Sequence, residues 1–135
     1  MTIAKGTFSV VPTSRAEYDP VEGAAALGRT TFAKVFEGDL VATSTVEMLS
    51  CMGLEKGSAG YVALERVTGS VAGQEGGFVL QHSGTMNRGE ASLTVTVVPD
   101  SGSGGLTGIV GTLKIEVVDK KHTYALDYSF GGPPF

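Results

Sequence analysis

Between residues 69 and 111 the chain repeats one device: a short apolar or alternating run followed by a glycine-rich turn. The densest case is Ser101-Gly102-Ser103-Gly104-Gly105-Leu106-Thr107-Gly108-Ile109-Val110-Gly111, with five glycines in eleven residues. It lies between two runs that read as strands, 90–98 and 109–118. Glycine reaches φ > 0 without a steric penalty, so such a segment predicts a tight, irregular corner between strands of a sheet. We expect at least two of Gly102, Gly104, Gly105 and Gly108 at positive φ. A corner of this kind constrains shape strongly and chemistry hardly at all.

The remaining composition agrees with an all-β domain. The chain has 135 residues, which the usual prior assigns to one domain with a self-sufficient core. It has 20 glycines, about double the usual share, and only 18% charged residues. A net charge of −4 with scattered Lys and Arg argues against a nucleic-acid surface. The single cysteine, Cys51, forbids an intramolecular disulfide and fits a reducing compartment. The first residues alternate like a strand and lack the apolar core of a signal peptide. No run approaches the ~18 apolar residues of a membrane helix. The expected location is the cytoplasm, with no membrane contact.

Period-two alternation predicts eight strands, at about residues 4–11, 24–36, 40–51, 60–71, 77–86, 90–98, 109–118 and 122–130. Pro12 is expected to end the first, before a polar loop over residues 13–23. Residues 37–39, 72–76, 87–89 and 119–121 read as hairpin connections. Residues 22–27 and 106–110 have room only for single helical turns. The tail, residues 131–135, reads as frayed or docked against a neighbour. Sequential strands with short loops form a meander, and closing it into a barrel removes the exposed edges.

One face recurs: Phe78, Leu80, His82; Leu93, Val95, Val97; Leu113, Ile115, Val117; Tyr124, Leu126, Tyr128, Phe130. It is assigned to the barrel interior. In the middle strands both faces carry apolar residues, Val41, Val62 and Leu64 among them. That pattern predicts a subunit interface in a small homo-oligomer, with a dimer favoured.

Three segments carry a resemblance: Tyr61-Val62-Ala63-Leu64-Glu65-Arg66-Val67-Thr68-Gly69, Gly77-Phe78-Val79-Leu80-Gln81-His82-Ser83-Gly84, and the run from Val97 to Gly108. With Phe36-Glu37-Gly38-Asp39-Leu40 they resemble a small bacterial domain-of-unknown-function family placed among the allene-oxide-cyclase-like barrels. The likeness spans about residues 6–130. It implies an all-β, eight-stranded antiparallel meander barrel that forms small oligomers, and it implies no activity. The wider group includes plant allene oxide cyclases and dirigent proteins, whose barrels handle reactive apolar ligands. None of their functional residues is matched to a position here, so their chemistry does not transfer with the fold.

Six residues are candidates for a ligand cavity: His82, Glu65, Glu47, Tyr61, Phe78 and Tyr124. His82 shares the phase of Phe78 and Leu80. Inside a barrel it serves as a general base or ligand contact, or as a core histidine bonded to a neighbouring strand or carboxylate. Glu65 and Glu47 lie inside strands flanked by apolar residues. Each is either an inward carboxylate suited to acid–base work or a residue paired with Lys or Arg, with Arg29 and Arg66 as partners for a structural role. Tyr61 and Tyr124 either lend hydroxyls to a cavity or pack in the core with the hydroxyl bonded near one end. Cys51, with no CxxC partner, reads as a small half-buried residue or a reactive thiol.

His82 and His122 lack further ligands at metal spacing, so no metal and no cofactor are expected. The glycine corner lacks the Lys and following helix of a phosphate-binding loop. These readings predict a barrel that binds a small apolar ligand. The alternatives are an isomerase or cyclase using His82 and Glu65, and a purely structural barrel with a filled core. A pocket of about 300 Å³ or more would favour the first two.

Overall fold

The computed structural model describes residues 2–131. It contains nine strands: β1 (Thr2–Tyr18), β2 (Ala26–Gly38), β3 (Leu40–Met52), β4 (Ala59–Val71), β5 (Gln74–Asn87), β6 (Glu90–Val97), β7 (Ser103–Gly104), β8 (Ile109–Val118) and β9 (Lys121–Phe130). Eight of them form an antiparallel barrel in the order β4-β3-β2-β1-β9-β8-β6-β5, closed by pairing of β4 with β5. The two-residue β7 is an extra strand laid against Gly76 and Gly77. Among the described residues there is no helix. Residues 21–24 form a turn, with the Ala24 amide on Val21 O at 3.1 Å, and residues 105–108 are also turns.

Local sequence explains most of the connections. Ala72-Gly73, Arg88-Gly89 and Asp119-Lys120 have φ of 52 and 79, 49 and 93, and 52 and 65. Both central residues are left-handed, which matches the right-handed twist of the flanking strands. These loops are shorter than alternation alone suggested, so β5 begins at Gln74 rather than at residue 77.

The largest departure is β1, which continues past Pro12 to Tyr18. Its pairing to β9 ends at the Phe8–His122 pair, so beyond Phe8 one edge of β1 has no strand partner. A proline whose missing N–H falls on such an edge breaks no ladder bond. The pairing with β2 shifts register between Pro12 and Ser14, and one extra residue is accommodated there as a bulge.

The barrel is tight at one end and splayed at the other. At the tight end Phe36, Leu40, Val67, Val71, Phe78, Leu80, Leu106, Ile109 and Leu126 are buried. The Tyr124 hydroxyl donates to Glu37 O (2.9 Å) and accepts from the Leu40 amide (2.9 Å), tying β9 to the β2–β3 turn.

β6 and β8 are paired through one residue pair, Thr96 with Thr112, near the tight end, and have no ladder pairs toward the other end. The phase assigned to the interior is correct, but three residues on it are not enclosed. Leu93 and Phe130 are each 44% exposed and Val117 is 62% exposed. Leu93 and Val117 lie where β6 and β8 no longer pair, whereas Phe130 ends β9 at the tight end, opposite Ile109. The predicted tail falls outside the described residues after Gly131, whose amide donates to Gly108 O at 3.3 Å.

Candidate functional site

Four polar side chains converge inside the barrel: Lys34, Ser44, Glu65 and His82. Each is in phase with apolar neighbours on its own strand, for instance Lys34 between Phe32 and Phe36, and Glu65 between Ala63 and Val67. Register brings them together. Lys34 is opposite Ser44 across β2–β3. Ser44 is one diagonal step from Glu65, because Val46 is Glu65's direct partner on β3. Glu65 is likewise one step from His82, because Leu80 is its direct partner on β5. Such cross-strand diagonals are within reach of long side chains.

Glu65 is the hub. Oε1 accepts from Lys34 Nζ (3.1 Å) and His82 Nε2 (2.8 Å), and Oε2 accepts from Ser44 Oγ (2.6 Å). Glu65 is 0% exposed, His82 4% and Lys34 8%. Burial pushes the Glu65 carboxyl upward. The His82 hydrogen bond, the Lys34 charge and the Ser44 hydrogen bond outweigh it and hold the group below its ordinary value. The ammonium of Lys34 lies 4.8 Å from the Phe8 ring centroid and 5.9 Å from that of Phe36, a cation–π arrangement on its remaining side.

An ionised Glu65 accepts only, so the hydrogen between it and His82 belongs to Nε2. The hydrogen bonds of the ring use Nε2 alone. Among the described residues the one fully buried side-chain polar atom without a partner is Asp127 Oδ1.

The cluster forms the floor of the splayed end. Around it the inward phase carries Phe32, Met48, Tyr61 and Ile115, all half-buried, and then the exposed Met86, Leu93 and Val117. On that side the inward phase is largely apolar, beside one charged pair and one imidazole.

Of the six sequence candidates, the structure brings His82 and Glu65 into direct contact. Tyr61 is on the same face, with its ring over Gly84. Burial raises its hydroxyl's pKa. Phe78 is packed in the tight end of the core. Tyr124 spends its hydroxyl on the backbone of Glu37 and Leu40 and so has a structural position. Glu47 is a correction: it points outward and pairs with Arg29 at 3.0 Å on the surface, so it does not line the cavity. The reason is phase, since Leu40, Ala42, Ser44 and Val46 take the inner face of β3 and Glu47 falls between them. Arg29 is thus Glu47's partner, and Lys34 occupies the role considered for Arg29 or Arg66 beside Glu65. Cys51 is half-buried and free.

Lys34 and Ser44 escaped the sequence reading. The available signal was a lysine at period two between Phe32 and Phe36. Among the described residues no group of three or more His, Cys, Asp or Glu is arranged to hold a metal.

Comparison with known proteins adds kinship. Residues 4–128 match the family described as "Protein of unknown function (DUF3224)". A crystal structure from that family, a protein with unknown function from Shewanella oneidensis MR-1, is 44% identical. It superposes with a TM-score of 0.92 over 98% of this chain and 99% of its own. No curated protein matches the chain.

Proposed function

We propose a binding role for this chain, which belongs to the DUF3224 family: the barrel holds one small apolar molecule in its splayed end, above Lys34, Glu65 and His82. The observation that carries this reading is the placement of the cluster. Burying a Lys–Glu pair and an imidazole is no better for stability than filling the same volume with apolar side chains. A barrel serving only as a scaffold has no use for them. Beside an apolar inward face they are convergent polar groups of the kind that orient a ligand. Surface depressions of about 500, 640, 580 and 370 Å³ are lined by other residues and by none of the four cluster members.

The test is fluorescence titration with naphthalene, unobscured because the chain has no tryptophan. We expect saturable binding of one molecule per chain, lost in Leu93→Glu while thermal stability is unchanged. Binding that survives Leu93→Glu would place the ligand elsewhere.

The Glu65–His82 hydrogen bond favours a second reading, an isomerase or cyclase acting on the same ligand, because a carboxylate-oriented imidazole is a general-base arrangement. The kinship with allene-oxide-cyclase-like barrels belongs to this reading and draws support from the eight-stranded meander and the glycine corner. A cytoplasmic location is supported by the single free cysteine.

The proposal includes a homodimer through the outer face of β3 and β4. Val41, Leu49, Val62 and Leu64 are exposed there, and a groove of about 580 Å³ runs beside the Arg29–Glu47 pair. A face carrying both charge signs around an apolar strip meets a second copy of itself without a net like-charge clash. Light scattering is expected to give a dimer for the native chain and a monomer for Leu64→Lys. A native monomer at high micromolar concentration would refute the interface.

A further inference from the structure

We infer that the seam between β6 and β8 is a closable gate: the tip of the β8–β9 hairpin zips onto β6 and completes the barrel wall. The inference is independent of the binding role proposed above. Thr96 and Thr112 are the one residue pair that joins these strands, and beyond it both present open edges toward the splayed end. Such edges are normally paired, covered or blunted. Carrying the Thr96–Thr112 register onward matches the two edges. Leu93 falls opposite Ile115 and Ala91 opposite Val117 on the inner face. Thr94 falls opposite Lys114 and Ser92 opposite Glu116 on the outer face. Apolar thus meets apolar and polar meets polar, a match that a one-residue slip would undo. The same register sets two tight turns side by side, Arg88-Gly89 against Asp119-Lys120. Each tip carries both charge signs, Arg88 and Glu90 on one, Asp119 and Lys121 on the other.

The anchoring differs between the two sides. The Gly89 amide donates to Gly57 O at 2.9 Å and the Arg88 amide to Ser58 Oγ at 3.1 Å, so the β5–β6 tip is fixed to the β3–β4 connection. The β8–β9 tip is paired to β1 at Phe8–His122, where the rings are 5.1 Å apart, and to nothing on the β6 side. The hairpin is therefore the part that swings, with the Thr96–Thr112 pair as its pivot. Closing adds ladder bonds between Leu93 and Ile115 and between Ala91 and Val117. It also covers Leu93 and Val117, both exposed in the open form.

The test uses a Cys51→Ala chain, which removes the native thiol, carrying either Ser92→Cys/Glu116→Cys or Thr94→Cys/Val118→Cys. The first pair is in register across the closed seam. The second is displaced by four residues, about 13 Å along the strand, beyond the reach of a disulfide. With oxidised glutathione as the oxidant, we expect the first to cross-link within the chain at least ten-fold faster than the second. Equal rates, or no cross-link, would overturn the gate. A cross-link that forms only between chains would also overturn it and assign the open edges to a second copy. Hydrogen exchange on the native chain needs no substitution. The Leu93 and Ile115 amides should exchange at least ten-fold faster than those of Val95 and Leu113 beside the pivot, and at least ten-fold slower than in an unstructured chain. Exchange as slow as at the pivot would mean a seam permanently shut, and exchange at the unstructured rate one that never closes. Either result would overturn the inference.

Discussion

Glu65→Gln is expected to destabilise the barrel severely, by roughly 3 kcal/mol or more, a large share of the ~5–15 kcal/mol that holds a domain of this size. The loss comes less from the missing pair than from what remains. Lys34, with its side chain only 9% exposed, is left with no carboxylate to face. The neutral amide can still accept from His82 and Lys34 through its oxygen and donate to Ser44, so the fold keeps its hydrogen bonds and loses the charge pairing.

Adding Lys34→Met to Glu65→Gln removes the stranded charge and restores an uncharged interior. The double variant should recover most of the loss, giving a large coupling energy between two contacting sites. Urea unfolding with unchanged m-values checks this, and simple additivity of the two single changes would contradict it.

The same pair predicts a pH effect. The Glu65 carboxyl is held below its ordinary value of 4.5 in the folded protein, so its contribution is present above that value. It is lost as pH falls through the lower folded value. The native chain should therefore lose stability more steeply in acid than Lys34→Met/Glu65→Gln does.

That hub was half-legible in the sequence. His82 was assigned inward from its phase with Phe78 and Leu80, and it lies where that phase put it. Glu65 was a candidate on the same logic. Lys34 and Ser44 required register, which phase alone does not supply. Lysine and serine are also common outward-facing residues, so neither attracts notice beside Phe32 or Val46.

Glu47 shows the opposite error. It lies between apolar Val46 and Met48 while Glu65 lies between Leu64 and charged Arg66, yet Glu65 is the one that turns inward, because strand phase decides it. The barrel itself was legible because turns and alternation are local. Its splayed end was not, because the length over which β6 and β8 stay paired depends on strand tilt and twist summed around the whole wall. Leu93 and Val117 consequently read as core and lie at the mouth.

The glycine corner offers the last test, since its glycines are required for two different reasons. Gly104 and Gly108 have φ of 60 and 85, as expected for a tight reversal. Gly102 and Gly105 do not, and what they supply is space. A Cβ on Gly102 would overlap the carbonyl oxygen of Leu106 and lie 3.0 Å from Cγ2 of Ile109, and one on Gly105 would lie 2.7 Å from Glu75 O.

Leu106, 1% exposed, is the side chain that the corner folds back into the core, and its carbonyl holds the Ile109 amide at 3.1 Å. Gly102→Ala must push that plug outward. It should cost about 3 kcal/mol or more, combining overpacking strain with lost apolar burial. Gly108 has nothing within 4 Å of its would-be Cβ, so Gly108→Ala pays only the left-handed backbone penalty, about 1 kcal/mol.

Asparagine separates the two causes. It tolerates left-handed backbone better than alanine does, so Gly108→Asn should be milder than Gly108→Ala. At Gly102 the larger side chain should make Asn at least as harmful as Ala. Thermal unfolding of the four variants decides the matter. Equal losses at both positions, or an asparagine that rescues Gly102, would mean that backbone angle rather than close packing governs the whole corner.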